Sequence, residues 1–189
     1  MTDNEEVYNE YHIIQVKENE IYFYSDITEQ SCKELIQALR EAEIAASIEK
    51  AKYKQSRPVV LRIKTTGGDA DAAMLVADIL ESLTVEVVAA IEGMCCSAGT
   101  IITSACDFAY ATPRSLMLVH QLSGGVFGKD SEMRDHMKMN DVYMDYIVDI
   151  YKQKTGLSKK KIKKLLSSES WLTAMEAHNL GFIDGIGVV

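Results

Sequence analysis

Several features that would assign this chain of 189 residues to a familiar function class are missing from it. Positive charge is not in surplus: 28 Asp and Glu stand against 20 Lys and Arg, a formal net charge of -8. A protein that neutralises phosphates needs Lys and Arg in excess on some face, so a general nucleic-acid role is disfavoured. No apolar run approaches the ~18–20 residues of a membrane helix, because charge interrupts every such stretch within about ten residues. There is no HExxH pattern and no CxxC pair, and His12, His136 and His178 have no partners at ligand spacing. No metal and no other cofactor is expected. The four cysteines, Cys32, Cys95, Cys96 and Cys106, read as reduced thiols. Asp3, Glu5 and Glu6 stand where a secretory leader would be basic and then apolar, so the expected location is the cytoplasm. With 47% hydrophobic residues the chain is long enough to close one core and too short for two ordinary domains.

What is present is alternation of strand and helix patterns. Residues 1–12 are polar and acidic without a sustained period and read as an arm or pro-segment, leaving 13–189 as one domain. Glu20 to Tyr24 reads as a short strand. Ser31 to about Lys54 reads as an amphipathic helix through Leu35, Ile36, Leu39 and Ala42, with Pro58 as its stop. Val59 to Ile63 is a β-branched strand ending at Gly67-Gly68, and a helix carrying Ala72, Val76, Ile79, Leu80 and Leu83 on one face follows. Val85 to Ile91 is a second such strand, with the small-residue segment Gly93 to Ser104 starting a second helix. Phe108 to Tyr110 and Leu116 to His120 read as strands, Gly124 to Gly128 as an extended stretch, and Lys129 to Lys154 as a long helix. Ser158 caps a short helix, and Thr173 to Glu176 is a capping box for another that closes at Gly181, before a final turn and strand. The fold class is α/β.

Two strand ends carry the chemistry. At Thr65-Thr66-Gly67-Gly68, successive glycines let backbone N–H groups face outward at a helix start, where a developing negative charge is favoured. At Gly93-Met94-Cys95-Cys96-Ser97-Ala98-Gly99, a serine flanked by small residues sits between strand and helix, exposed and close to backbone donors. His120 closes the strand from Leu116 to Val119. A lone serine is more often a cap, and a lone strand-end histidine more often bonds a backbone carbonyl. The ordered combination of Gly-Gly turn, serine turn and histidine is what favours the chemical reading.

From about Val59 to Ile186 these motifs resemble the Clp protease proteolytic subunit family, ClpP. Ile63 to Gly68 is similar to that family's strand and Gly-Gly turn, Gly93 to Gly99 to its nucleophile segment, and Leu118 to Gln121 to its histidine segment. Gly124, Gly125, Val126, Phe127 and Gly128 resemble the stretch that lines its peptide groove, and Lys129 to Lys154 its handle helix. The resemblance implies a ClpP/crotonase-like fold of repeated β-β-α units. It also implies Ser97 as nucleophile, His120 as general base, and the N–H groups of Gly68 and Ala98 as oxyanion hole. Glu169 falls where the family has its aspartate, and glutamate serves that role in other serine hydrolases. Lys64-Thr65-Thr66 replaces the family's Asn-Ser-Pro, and the chain reads as a divergent, phage-type member.

The implied activity is hydrolysis of unfolded polypeptide through an acyl-enzyme, by a homo-oligomeric ring, a heptamer with stacking in pairs as an option, fed by an AAA+ unfoldase. The rival readings are a catalytically silent ring subunit and a crotonase-type enzyme acting on acyl-CoA. Cys95 and Cys96 read as packing, the methionines as core or interface filler, and Lys159 to Lys164 as the solvated face of a short helix.

Overall fold

A computed structural model describes residues 13–188, so the arm expected over 1–12 lies outside the described residues. The elements run β1 (Ile13–Lys17), β2 (Glu20–Tyr24), α1 (Glu29–Tyr53), β3 (Val59–Thr65), α2 (Ala70–Ser82), β4 (Val87–Cys96) and α3 (Ala98–Ala105). There follow β5 (Phe108–Ala111), β6 (Leu116–Val119), α4 (Asp130–Thr155), α5 (Lys159–Ser167), β7 (Ser170–Thr173), α6 (Ala174–Leu180) and β8 (Gly185–Ile186). The α/β class expected from the alternation is the one observed.

Each long helix forms for a reason visible in its ends and one face. In α1 the Thr28 side chain accepts from the Ser31 N–H while Ser31 Oγ accepts from the Thr28 N–H, a reciprocal cap. Leu35, Ala38, Leu39, Ala42 and Ala46 then make a buried stripe at three- and four-residue spacing. Removing a leucine such as Leu35 or Leu39 wholly from water contributes on the order of 2 kcal/mol each. The helix ends at Lys54, which adopts φ 63, four residues before the proline expected to stop it. The left-handed cap closes the last turn before Pro58 can act.

The sheet runs β1-β2-β3-β4-β5-β8, with β6 paired to β4 and β7 to β6. β2 through β5 and β8 pair in parallel, while β1 adds an antiparallel edge. β1 was not expected: Val16 is half exposed, and an edge strand with little to bury has weak alternation. β4 departs from expectation more consequentially. It continues through Gly93 (φ +94) and the cysteines to Cys96. Its first run, Val87 to Ile91, lies between β3 and β5. Its second, Met94 to Cys96, pairs in parallel with β6. The segment from Gly93 to Ser104 does lead into a helix, but its first four residues are strand and the helix begins only at Ala98. β7, also unforeseen, runs antiparallel to β6.

α3 is buried along nearly its whole length, packed against α2 and α4. α4 divides: Ile147, Val148 and Tyr151 enter the core, whereas Met137, Met139, Val142 and Tyr146, which precede them, are exposed. Among the described residues no helix is long and apolar enough to cross a membrane.

Candidate active site

In parallel sheets of this kind, binding sites form beyond the carboxyl ends of the strands. β3, β4 and β6 are parallel neighbours, and the chain leaving each of them carries one candidate group. Gly67-Gly68 follows β3, Ser97 follows β4, and His120 follows β6. Residues far apart in sequence meet for this reason. A cleft of about 190 Å³ is lined by Gly68, Ser97, Ala98 and His120 together.

The glycine turn is tied down from three directions. The Ile27 N–H donates to Gly67 O at 2.8 Å, the Asp69 N–H donates to Ile27 O at 2.8 Å, and the Gly67 N–H donates to Thr65 Oγ1 at 3.1 Å. Thr66 adds a hydroxyl bond to Asp26. These bonds fix the turn that a proline would otherwise preset. Gly67 has φ +104, and a Cβ there would stand 2.6 Å from the Cβ of Ser97. Gly68 has φ +142, and a Cβ there would stand 2.1 Å from Ile27 O. Glycine at both positions lets the β3 turn touch the serine turn and present the Gly68 N–H, which has no acceptor among the described residues.

Ser97 occupies φ 55 and ψ -125, a region L residues seldom adopt, between the end of β4 and the first residue of α3. Its N–H donates to Leu118 O of β6 at 2.8 Å. Its carbonyl accepts from the Thr100 N–H at 2.9 Å and from Thr100 Oγ1 at 2.6 Å. The hydroxyl is thereby left half-buried at the cleft with Ala98 at the helix start beside it. Burial pushes the Cys95 and Cys96 thiols up from their ordinary value, so neither supplies a thiolate next to the serine. Packing accounts for both.

Glu169 and the glycine-rich stretch stand differently. The antiparallel register ends with Val119 paired to Ser170, and His120 and Glu169 are the residues next beyond that last pair. Glu169 takes φ 46, its side chain is exposed, it is not among the residues lining the cleft, and no hydrogen bond joins it to His120. The cleft reaches along the chain to Ser123, and Gly124, Gly125, Val126 and Phe127 continue beyond it, all exposed. Sequence reasoning missed Thr100, Ile101, Ile147 and Tyr151, which form the cleft floor or stand behind it. Helical spacing could have found them: Thr100 and Ile101 lie one turn beyond Ser97, and Ile147 and Tyr151 are four apart on α4.

A family model described as Clp protease matches residues 2–189. An ATP-dependent Clp protease proteolytic subunit 1 of Chlamydia abortus is 28% identical over 170 residues, covering 88% of this chain and 84% of the relative. The subunit of the same name in Chlamydia pneumoniae is 28% identical over 170 residues, covering 88% of this chain and 85% of the relative. An ATP-dependent Clp protease proteolytic subunit 2 of Treponema denticola is 29% identical over 133 residues, covering 69% of this chain and 66% of the relative.

Proposed function

The chain belongs to the Clp protease family, and from that premise we propose that it cleaves peptide bonds by a serine mechanism with Ser97 as nucleophile. Ser97 Oγ attacks the scissile carbonyl carbon while its proton passes to the His120 ring. The negative charge that gathers on the carbonyl oxygen is received by the Gly68 and Ala98 N–H groups. His120 then gives its proton to the leaving amine as the C–N bond breaks, and a water deprotonated by His120 releases the acyl group from Ser97. Glu169 is proposed to orient His120 from the strand opposite. The observation that supports the reading best is the meeting of Ser97, His120, Gly68 and Ala98 at one cleft, with the serine on a strained strand-to-helix turn.

By the same reading the substrate is unfolded polypeptide laid along Gly124 to Phe127 as an added strand. Residues 13–189 act as one peptidase domain, with 1–12 as an arm or pro-segment. The protein works in the cytoplasm as a homo-oligomeric ring fed by a separate AAA+ ATPase. The relatives' names, ATP-dependent Clp protease proteolytic subunits, support the pairing with an ATPase. A fluorophosphonate probe tests the chemistry directly. The expected result is one modified residue, Ser97, in wild type and none in Ser97→Ala, with peptide hydrolysis lower by on the order of a thousandfold or more. An unlabelled Ser97 in assembled protein would identify a catalytically silent subunit instead.

A further inference from the structure

Beneath Ser97 lies a pair of buried hydroxyls that the proposed chemistry does not use. Thr100 is fully buried and Tyr151 of α4 nearly so, and their hydroxyl oxygens are 2.6 Å apart. The single Thr100 hydroxyl proton is committed to Ser97 O at 2.6 Å, so Tyr151 must be the donor between the two. Burial holds the Tyr151 phenol well above its ordinary value, which keeps that proton in place. The direction of the chain of bonds is therefore fixed: Tyr151 to Thr100, and Thr100 to the Ser97 carbonyl.

The carbonyl in question belongs to the peptide unit whose other end is the Ala98 N–H. A trans peptide is planar and its C=O and N–H point in opposite directions, so whatever holds the oxygen also aims the hydrogen. Ser97 O receives both the backbone N–H and the hydroxyl of Thr100, which fills the two lone pairs of that oxygen. The plane is pinned from the interior, and Ala98, which carries its N–H end, lines the cleft.

We propose that Thr100, oriented by Tyr151, is a positioning residue that holds the Ser97–Ala98 peptide plane and so aims the Ala98 N–H at the oxyanion. The proposal rests on Ser97 and Ala98 having the roles given above. An oxyanion donor acts mainly where charge develops, so a loosened plane lowers kcat and leaves KM nearly unchanged.

The test compares Thr100→Val, Thr100→Ser and Tyr151→Phe with wild type on a fluorogenic peptide, at a temperature where melting curves show each fully folded. Affinity for a peptide boronate, whose serine adduct carries a tetrahedral anionic oxygen, is measured alongside. Complete removal of an oxyanion donor costs about 10²–10³-fold, so a misaimed one is expected to cost roughly tenfold or more in Thr100→Val and roughly threefold to tenfold in Tyr151→Phe. KM should stay within about twofold, boronate affinity should fall with kcat, and Thr100→Ser, which keeps the hydroxyl, should stay within about threefold of wild type. Wild-type kcat in Thr100→Val, or an equal loss in Thr100→Ser, overturns the proposal. Wild-type kcat in Tyr151→Phe removes Tyr151 from it. Probe labelling separates this outcome from failure of the underlying reading: wild type unlabelled at Ser97 strikes the site assignment, whereas labelled wild type with an unimpaired Thr100→Val strikes only the positioning role.

Discussion

Among the described residues, four other than glycine have positive φ, and two of them are Ser97 and Glu169, positions singled out for chemistry from the sequence. The other two have ordinary explanations: Glu18 turns the β1–β2 connection, and Lys54 caps α1. Holding an L residue there costs on the order of 1–3 kcal/mol, and such strain persists where the surroundings over-determine the conformation. At Ser97 those surroundings are identifiable, since Leu118 and Thr100 hold its two backbone ends while Gly67 leaves room for its Cβ. Glu169 joins the end of α5 to β7 just outside the last β6–β7 pair, as His120 does at the end of β6, and the role proposed for its carboxylate is to orient the imidazole. If it does so, Glu169→Gln lowers kcat by on the order of a thousandfold with little change in KM, because the carboxylate matters chiefly when imidazolium forms. Steady-state kinetics on a fluorogenic peptide decide the point, and a variant as fast as wild type takes Glu169 out of the mechanism.

Within the elements, side-chain alternation separates β3 into a core face of Val59, Leu61, Ile63 and Thr65 and an outer face ending in Arg62 and Lys64. Arg62 reaches across that outer face to both neighbours. It meets Glu20 of β2 at 2.9 Å and Glu92 of β4 at 2.6 Å, while Tyr22 donates to Glu20 at 2.6 Å and Tyr24 donates to Glu92. The Arg62 guanidinium, followed by the Tyr22 hydroxyl, holds the Glu20 carboxyl down from 4.5 to about 2. A carboxylate with a depressed folded-state value stabilises the fold fully above its unfolded value and loses that contribution as pH falls through the folded one. The stability difference between wild type and Glu20→Gln should therefore be full above pH 4.5 and shrink between 4.5 and about 2, as read from urea unfolding at stepped pH. A difference that does not change over that window would show that the pair adds nothing by charge. The lysine run of α5 also does more than face solvent: Lys159 pairs with Asp149 at 2.7 Å and Lys163 with Asp145 at 3.3 Å, both on α4, while Ile162 and Leu166 enter the core.

For the whole molecule, α4 is the element whose two parts have different fates. Its carboxyl-terminal part, with Ile147, Val148 and Tyr151, belongs to the monomer core. Ahead of it, Met137, Met139, Val142 and Tyr146 are exposed. A ring built through this part of α4 buries these apolar side chains against neighbouring copies. The expected outcome is that wild type sediments at several times 21.0 kDa at micromolar concentration, and that Met137→Asp combined with Tyr146→Asp shifts it toward the single chain. Wild type sedimenting as a single chain with full peptidase activity is the result that removes α4 from assembly.

The amino-acid sequence by itself determined the alternation of strands and helices, the capped starts of α5 and α6, the buried face of α1, and the order of Gly-Gly turn, serine and histidine. These are local properties: periodicity, capping chemistry and the backbone freedom of glycine act within a few residues. Tertiary structure decided the rest. The continuation of β4 through Gly93 to Cys96 depends on β6 being present to pair with it, and β6 follows some twenty residues later. The meeting of Gly68, Ser97, Ala98 and His120 depends on three parallel strands ending side by side. The position of Glu169 depends on a β6–β7 register that no short window contains. The Tyr151–Thr100–Ser97 chain of bonds joins α4 to α3 across 51 positions, and only the burial of both hydroxyls together makes each the other's partner.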